Sequence, residues 1–371
     1  MKICIATDFH LSYRQYGLDE REQDFYRQYE KLIEEVINEK PDIFIELGDI
    51  FDEHKPKPIA IKKFEEGLEK LNNAGIKCYG IVGNHTLIRR RNYYPIDNIF
   101  EDKLRILNED YETFGDVFIC GINYHPRTHD IKETVNTLYE KGRSCRLKIL
   151  LLHQSLKKDI PIGYDFDEDK LQLNRFDYVF LGHLHKRILR YDEQTDSVIH
   201  YPGSLNSCSV VELLDEINDG RGYTVFDTDN YLLEMKNITP QREYIEYNLK
   251  DDELNDDFLD NECNRLKEHD TKPIVQLNLT TKNPKHIYEI CKKMDKHCLV
   301  MKCNINTDNE ERQDKQINTN KTIEEIAKET FPKKWQSNYF IELMKLLAEG
   351  NTSEAEELAE KMYNEHYSTQ D

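Results

Sequence analysis

The chain lacks any apolar run long enough to span a bilayer, and its first apolar stretch, inside Met1-Lys-Ile-Cys-Ile-Ala-Thr-Asp8, is too short for a signal-peptide core. These absences argue against a membrane span and a secretory leader and lead us to expect a cytoplasmic protein. It also lacks any CxxC pair among nine cysteines. Cys4, Cys78 and Cys120 fall inside strand-like apolar runs, where a thiol behaves as a small hydrophobe, so reduced core cysteines are expected rather than disulfides or a zinc cage. Positive charge is scarce: 51 Lys and Arg against 71 Asp and Glu give a net charge of −20. That balance argues against simple electrostatic adhesion to nucleic acid. Acidic residues are themselves missing from three windows, residues 77–96, 141–158 and 178–191, which keep their lysines and arginines. Each window contains one of the histidine motifs described below, which suggests a positive zone around one site. The plainer alternative is that buried strands exclude carboxylates and the basic residues merely flank them.

At 371 residues the chain exceeds what one core usually serves, so two or three domains are expected. To about residue 238 strand-like and helix-like segments alternate. Strands are expected at Lys2–Thr7, Ile43–Leu47, Lys77–Val82, Val117–Ile122, Lys148–Leu152, Tyr178–Leu181, Val198–Tyr201 and Tyr223–Phe226. Phe25, Tyr29, Leu32, Val36 and Ile37 recur at helical spacing, as do Phe64, Leu68 and Leu71 after Pro58. This is the pattern of an α/β layered domain. Residues 242–303 read as a small α+β unit, with strands at Glu243–Asn248, Ile274–Leu279 and Cys298–Cys303 and helices at Phe258–Lys267 and His286–Met294. Residues 304–321 are almost wholly polar and read as a flexible linker. Residues 322–371 return to helical periodicity through Trp335, Phe340, Met344 and Leu347, then Leu358 and Met362. A helical pair beyond a polar linker cannot bury its apolar face alone; it reads as a docking element for another protein, with packing onto its own body as the alternative. There is no internal repeat and no low-complexity tract.

Five short patterns follow one another at the ends of expected strands: Asp8-Phe-His10, Gly48-Asp49-Ile-Phe-Asp52, Gly83-Asn84-His85, His153-Gln-Ser155 and Gly182-His183-Leu-His185. Side chains at i and i+2 of an extended segment share a face, so Asp8 with His10, and His183 with His185, can each aim two donors into one space. A mixture of carboxylate, amide oxygen and imidazole suits Mn²⁺, Mg²⁺ or Fe²⁺, and no thiolate in the motifs favours structural zinc. Glycines precede donors at Gly48, Gly83 and Gly182, where a tight backbone releases the side chain toward the site. One Asp-x-His carries little information. All five patterns in this order, at the strand ends where α/β sheets place their sites, carry a great deal.

These motifs resemble the calcineurin-like metallophosphoesterase superfamily. More narrowly, Tyr13-Arg-Gln-Tyr-Gly-Leu-Asp-Glu-Arg21, His153-Gln and Tyr201-Pro-Gly-Ser204 resemble the SbcD-like, meiotic-recombination-eleven nucleases of double-strand-break repair, in their short archaeal form. The resemblance implies a two-sheet α/β sandwich flanked by helices, then a small α+β capping domain and a C-terminal helical pair. It implies two Mn²⁺ ions, with Mg²⁺ or Fe²⁺ possible. Asp8, His10, Asp49 and His185 would bind one, and Asp49, Asn84, His153 and His183 the other, with Asp49 bridging. His85 would be the catalytic acid rather than a ligand, and Asp52 is the candidate to orient it. Two positions depart from the family: Thr86 stands where an acid usually follows Gly-Asn-His, and Ser12 replaces a common glycine.

Phosphate contacts are expected from Arg89, Arg90 and Arg91, with Tyr13, Arg14, Lys186 and Arg187 nearby; such contacts carry no sequence code. The family's dimer bundle would fall on Pro58–Asn73 with Ile96, Ile99 and Phe100, positions equally consistent with packing inside the chain. The C-terminal apolar residues would dock on an SMC-like coiled-coil ATPase. The resulting expectation is a Mn²⁺-dependent DNA exonuclease and endonuclease acting on double-strand ends, single strands and hairpins as a nucleoid-associated homodimer. Two alternatives stay open: a phosphatase or small-molecule phosphodiesterase with the same metals, and a non-catalytic scaffold tethering ATPase heads.

Overall fold

A computed structural model describes residues 1–87, 96–126, 130–160, 163–192, 195–209, 212–213, 219–250, 253–281, 292–307, 334–348 and 358. The chain forms two compact units, Met1–Asn306 and Thr307–Asp371. In the first, two six-stranded mixed sheets carry the architecture. One runs β12-β11-β1-β2-β3-β4, where β1 is Lys2–Ala6, β2 Ile43–Glu46, β3 Lys77–Gly80, β4 Leu104–Ile106, β11 Gly222–Asp227 and β12 Leu232–Asn237. The other runs β5-β6-β7-β8-β10-β9, where β5 is Asp110–Phe114, β6 Val117–Ile122, β7 Leu147–His153, β8 Tyr178–Gly182, β9 Ile188–Tyr191 and β10 Val198–Tyr201. The parallel centres of both sheets, β1-β2-β3 and β6-β7-β8, bring their C-terminal ends to one edge of the sandwich.

The alternation of side chains along each strand decides the layers. Ile3 and Ile5 of β1, Ile43 and Ile45 of β2, Ile149 and Leu151 of β7 and Phe180 of β8 share the core between the sheets. Their neighbours Cys4, Ala6 and Phe44 face outward into a second core with Tyr29, Leu32 and Val36 of α1 (Asp19–Glu39) and Phe64, Leu68 and Leu71 of α2 (Pro58–Asn73). Leu150 and Leu152 of β7 and Val179 and Leu181 of β8 face a third core with Val135 and Leu138 of α3 (Lys132–Gly142) and Leu171 of α4 (Glu168–Leu171). Strands covered on both faces explain why these segments read as unbroken apolar runs. Each fully buried aliphatic or aromatic side chain contributes roughly 1.5–3 kcal/mol, so the three cores hold the strand ends rigidly in register.

The expected strands of the two large sheets fall within a residue or two of those observed. Four were not expected. Among them β5 and β9 lie at the edges of one sheet, and β4 and β12 at the edges of the other, where half-exposed residues blur the apolar signal. A third sheet, β13-β14-β15 (Tyr244–Lys250, Ile274–Thr281, Val300–Thr307), packs on α5 (Asp256–Lys267) through Leu259, Leu266, Val275 and Leu277. Arg242 ties this small unit to α1: its Nε donates to Asp24 Oδ2 at 2.8 Å and its Nη2 to Asp24 Oδ1 at 3.2 Å, all buried. Because β15 runs to Thr307, the first residues of the expected linker are strand, and the rest of it lies outside the described residues. His286–Met294 also falls mostly outside them. Among the described residues seven cysteines are free thiols, but Cys303 is disulfide-bonded, against the expectation of a fully reduced set.

In the second unit, α6 (Lys334–Ala348) occupies the expected helical segment. Phe340 and Met344 are half-buried on it, as is Leu358 beyond it; Met362 and the side chains of Trp335 and Leu347 lie outside what is described. The residues proposed for a dimer divide. Ala60, Phe64, Leu68, Leu71 and Phe100 belong to the chain's own core, whereas Ile59 and Ile99 remain exposed. No helix among the described residues is long and apolar enough to cross a membrane.

Candidate metal centre

All seven expected donors converge at the shared strand edge. β1 ends at Ala6 and releases Asp8 and His10, and β2 ends at Glu46 and releases Asp49. β7 places His153 at its last position, and β8 ends at Gly182 just before His183. The common direction of Asp8 and His10 does not come from strand alternation. Both have left-handed backbones (φ 53° and 46°), as do Asp49 (φ 55°) and His183 (φ 85°). Non-glycine residues rarely adopt this region, and such strain concentrates at functional sites. Here the turns are held by pairing between loops: Asp8 N–H donates to Gly48 O at 3.1 Å, His10 N–H to Asp49 O at 3.1 Å, and Leu11 N–H to Ile50 O at 2.9 Å.

The glycines serve a different end from the release of their own neighbours. A Cβ on Gly48 (φ 98°) would sit 2.8 Å from Gly83 N, and one on Gly182 would sit 2.6 Å from His153 Nδ1. A Cβ on Gly83 would collide with the Asp49 carboxylate. Each glycine therefore makes room for a donor carried by another strand.

Two groups of converging donors, Asp8-His10-Asp49 and Asp49-His153-His183, have Asp49 in common, and a further group joins His185 to His10 on the first side. In the second group, His153 Nδ1 contacts Leu47 O at 2.6 Å. If Nδ1 carries the hydrogen, as a bond to a carbonyl requires, Nε2 presents a lone pair to Asp49 Oδ2 and Asn84 Oδ1, each 3.1 Å away. Asn84 Oδ1 also lies 2.9 Å from His183 Nδ1. In the first group, His10 Nε2 and His185 Nε2 face each other at 3.0 Å. Asp8 Oδ1, fully buried and without a hydrogen-bond partner, is 3.8 Å from both. Its other oxygen is held by Thr7 Oγ1 (2.7 Å) and His183 N–H (3.1 Å). Electron pairs converging on electron pairs in a buried space are the arrangement a cation relieves. The residues therefore fit two cations bridged by Asp49. Protonation answers the same demand: burial alone pushes the His153 imidazole down, but Asp49 and Asp8 raise it to about 9.

His85 stands apart and is 37 % exposed. Its N–H donates to Asp49 Oδ1 at 2.9 Å, its Nδ1 lies 2.5 Å from the main-chain O of Asp52, and its Nε2 is 3.9 Å from Asp49 Oδ2. Asp52 thus meets His85 chiefly through its carbonyl. Its carboxylate lies 3.4 Å from His10 Nδ1 and 3.8 Å from His85 Nδ1. Thr86 is fully buried beside Asp97, a carboxyl that burial pushes up to about 6.

Two acids brace the ligands without any motif to announce them. Glu212 Oε2 faces His185 Nδ1 at 3.0 Å and accepts Cys208 N–H at 2.9 Å. Burial pushes this carboxyl up, but the bond to His185 outweighs it and holds it at about 2. Asp165 Oδ2 lies 3.5 Å from His183 Nε2 and accepts Ser155 Oγ–H at 2.7 Å. Such outer partners fix the tautomer and direction of metal-binding histidines.

The expected positive zone does not form from the described residues of the acid-free windows. Arg146 pairs with Asp116 at 2.7 Å, Lys148 with Asp177 at 3.0 Å, Lys157 with Asp167 at 3.0 Å, Lys158 with Asp169 at 2.7 Å and Arg190 with Asp159 at 2.7 Å. Neighbouring strands and loops supply the acids that the windows lack. Arg187, expected at phosphates, instead braces the β9 turn. Its guanidinium donates to Pro202 O (3.1 Å), Asp219 O (3.2 Å), Lys236 O (2.6 Å) and Asn237 Oδ1. Tyr13 is half-buried with its hydroxyl on Cys208 O, Arg14 pairs with Asp19 at the surface, and Lys186 is exposed. Arg89, Arg90 and Arg91 lie outside the described residues.

Comparison with known proteins agrees with this geometry. Residues 1–187 match the calcineurin-like phosphoesterase family. The DNA double-strand break repair protein Mre11 of Methanocaldococcus jannaschii is 30 % identical over 284 residues, covering 74 % of this chain and 75 % of that protein. Its namesake from Methanococcus maripaludis is 34 % identical over 246 residues, covering 61 % of this chain and 63 % of that protein. The one from Sulfurisphaera tokodaii is 30 % identical over 303 residues, covering 77 % and 75 %. The chain therefore belongs to the calcineurin-like phosphoesterase family, as a metal-dependent phosphodiesterase of the archaeal Mre11 group.

Proposed function

We propose that this protein is a nuclease that hydrolyses DNA phosphodiester bonds in double-strand-break repair, using two Mn²⁺ ions held by Asp8, His10, Asp49 and His185 on one side and Asp49, Asn84, His153 and His183 on the other. The observation that carries the reading is the pair of donor groups sharing Asp49, with the exposed imidazole of His85 at their rim. Held by these residues, two such ions would supply Lewis-acid stabilisation of a phosphate's charge and a water acidified toward ~7. His85, with Nδ1 on the Asp52 carbonyl, presents Nε2 as the atom that hands a proton to the leaving oxygen. Asp52 fixes that ring through its main chain, and its carboxylate adds negative charge beside His10 and His85.

The polymer substrate is supported by the names of the relatives; most described lysines and arginines of residues 141–158 are ion-paired. Phosphate contacts are assigned to Tyr13, Arg14 and Lys186 near the site and to Arg89, Arg90 and Arg91. Residues 322–371 are assigned to docking on an SMC-like coiled-coil ATPase, and α2 with Ile99 to a homodimer contact. A nucleoid-associated, cytoplasmic setting follows from that substrate.

The test is cleavage of linear duplex, hairpin and single-stranded DNA across Mn²⁺, Mg²⁺ and Fe²⁺, with and without the ATPase, beside bis-p-nitrophenyl phosphate. Hydrolysis of the small ester with every DNA left intact would replace the nuclease by a small-molecule phosphodiesterase. His85→Ser is expected to lower DNA cleavage on the order of 10²-fold or more while leaving Mn²⁺ binding in place. Unchanged cleavage would remove His85 from the reaction. Deleting Thr322–Asp371 is expected to abolish ATPase association and spare Mn²⁺-dependent cleavage of single strands. Unfolding of the remaining chain would defeat the docking assignment.

A further inference from the structure

The His10–His185 side of the centre includes a group outside the histidine and aspartate motifs. Cys208 Sγ lies within 4.8 Å of an imidazole nitrogen of both His10 and His185. Its backbone is fixed from two sides, since its carbonyl accepts Tyr13 Oη–H at 3.0 Å and its N–H donates to Glu212 at 2.9 Å. The thiol's own contact with Asn206 O is long, at 4.0 Å. From another direction Asp8 Oδ1, fully buried and unpartnered, lies 3.8 Å from Nε2 of each histidine. Among the described residues six other cysteines are free, and none of them belongs to a group of three converging donors.

We propose that Cys208 is a further donor to the cation held by His10 and His185, which gives that half of the centre a donor set of nitrogen, oxygen and sulfur. This rests on the two-metal reading above. Imidazole and carboxylate suit Mn²⁺, Mg²⁺ and Fe²⁺, whereas sulfur shifts preference toward thiophilic cations such as Zn²⁺ and Co²⁺. On coordination the S–H bond is replaced by a sulfur–metal bond and the proton passes to solvent. Cys208 is therefore expected to raise the affinity of this half for Zn²⁺ relative to Mn²⁺, by a margin that depends on residue 208.

The experiment is Co²⁺ titration of the full chain, following the near-ultraviolet thiolate-to-cobalt charge-transfer band and the visible d–d bands. Isothermal titration would give Zn²⁺ and Mn²⁺ affinities for the chain and for its Cys208→Ser and Cys208→Ala variants, whose folding is checked by thermal melting. The expected result is a charge-transfer band in the parent chain that is lost in both variants. The ratio of Zn²⁺ to Mn²⁺ affinity should fall on the order of 10-fold or more, a scale that even outer partners of metal ligands reach. A parent chain with d–d bands but no charge-transfer band would overturn the sulfur donor and leave the metal centre standing. A band that survives in both variants would assign it to another cysteine and overturn the proposal. Absence of any Co²⁺ binding would overturn the centre and this donor together.

Discussion

Removing the Glu212 carboxylate should weaken one half of the metal centre and spare the other. Glu212 Oε2 lies 3.0 Å from His185 Nδ1, and a hydrogen there leaves Nε2 as the donor facing His10. The same carboxylate accepts Cys208 N–H at 2.9 Å and Ser209 Oγ–H at 3.0 Å, so it sets the ring against a fixed backbone. Arg221 supports the loop from behind, through Glu212 O at 2.9 Å and His185 O at 2.6 Å, and both bonds survive truncation of the side chain. Glu212→Ala thus removes the orienting charge together with the bonds to Cys208 N–H and Ser209 Oγ–H. Loss of an outer-shell partner lowers metal affinity roughly 10–100-fold, which is about 1.4–2.7 kcal/mol at one site. Glu212→Gln keeps an acceptor oxygen and should sit at the low end of that range. Isothermal titration of Mn²⁺ into metal-free protein reads both sites, and a thermal melt of the metal-free variant separates affinity from folding. Two unchanged sites in Glu212→Ala would refute the brace. Loss of both sites with a lowered melting temperature would make Glu212 a structural residue instead.

Three further outcomes follow from other parts of the molecule. His200 is buried with Nδ1 2.9 Å from Ile188 O and Nε2 2.7 Å from Thr224 Oγ1, and burial lowers its imidazole from 6.5 to about 4. The unfolded chain therefore takes up this proton first. Between pH 7 and pH 5 this linkage removes about 2 kcal/mol of stability, and His200→Gln should flatten the fall in urea titrations; an unchanged slope would show that another group carries it. Gly182→Ala drives a Cβ to 2.6 Å from His153 Nδ1 and closer still to Leu47 O and Thr7 Oγ1, so the strand ends around the ring must shift. The expected cost is about 1–3 kcal/mol of stability and weaker Mn²⁺ binding, and intact binding would show the ring free to move. Arg242→Ala leaves the buried Asp24 with Arg21 and Arg27 alone, and should cost about 3 kcal/mol in chemical denaturation, the lower end for breaking a buried pair. A loss below about 1 kcal/mol would mean that the two remaining arginines suffice.

The layered α/β class, eleven of the fifteen strands among the described residues and the seven candidate donors were legible in the sequence, because each is written locally. A strand buried on both faces is an apolar run, and a donor at its end follows a turn residue. Only the tertiary structure decided what those donors meet. Gly48, Gly83 and Gly182 read as hinges for their own neighbours, yet they clear space for His153 and Asp49 from other strands. Asp8 and His10 read as an extended pair, yet left-handed turns pinned to the β2 loop aim them. The acid-free windows read as a positive zone, yet Asp116, Asp167 and Asp177 arrive from outside the 141–158 window to pair with its Arg146, Lys157 and Lys148. Glu212 and Asp165 could not be seen at all. A carboxylate that orients a histidine 27 residues away acts through space, and local spacing leaves no mark of a contact that the fold creates.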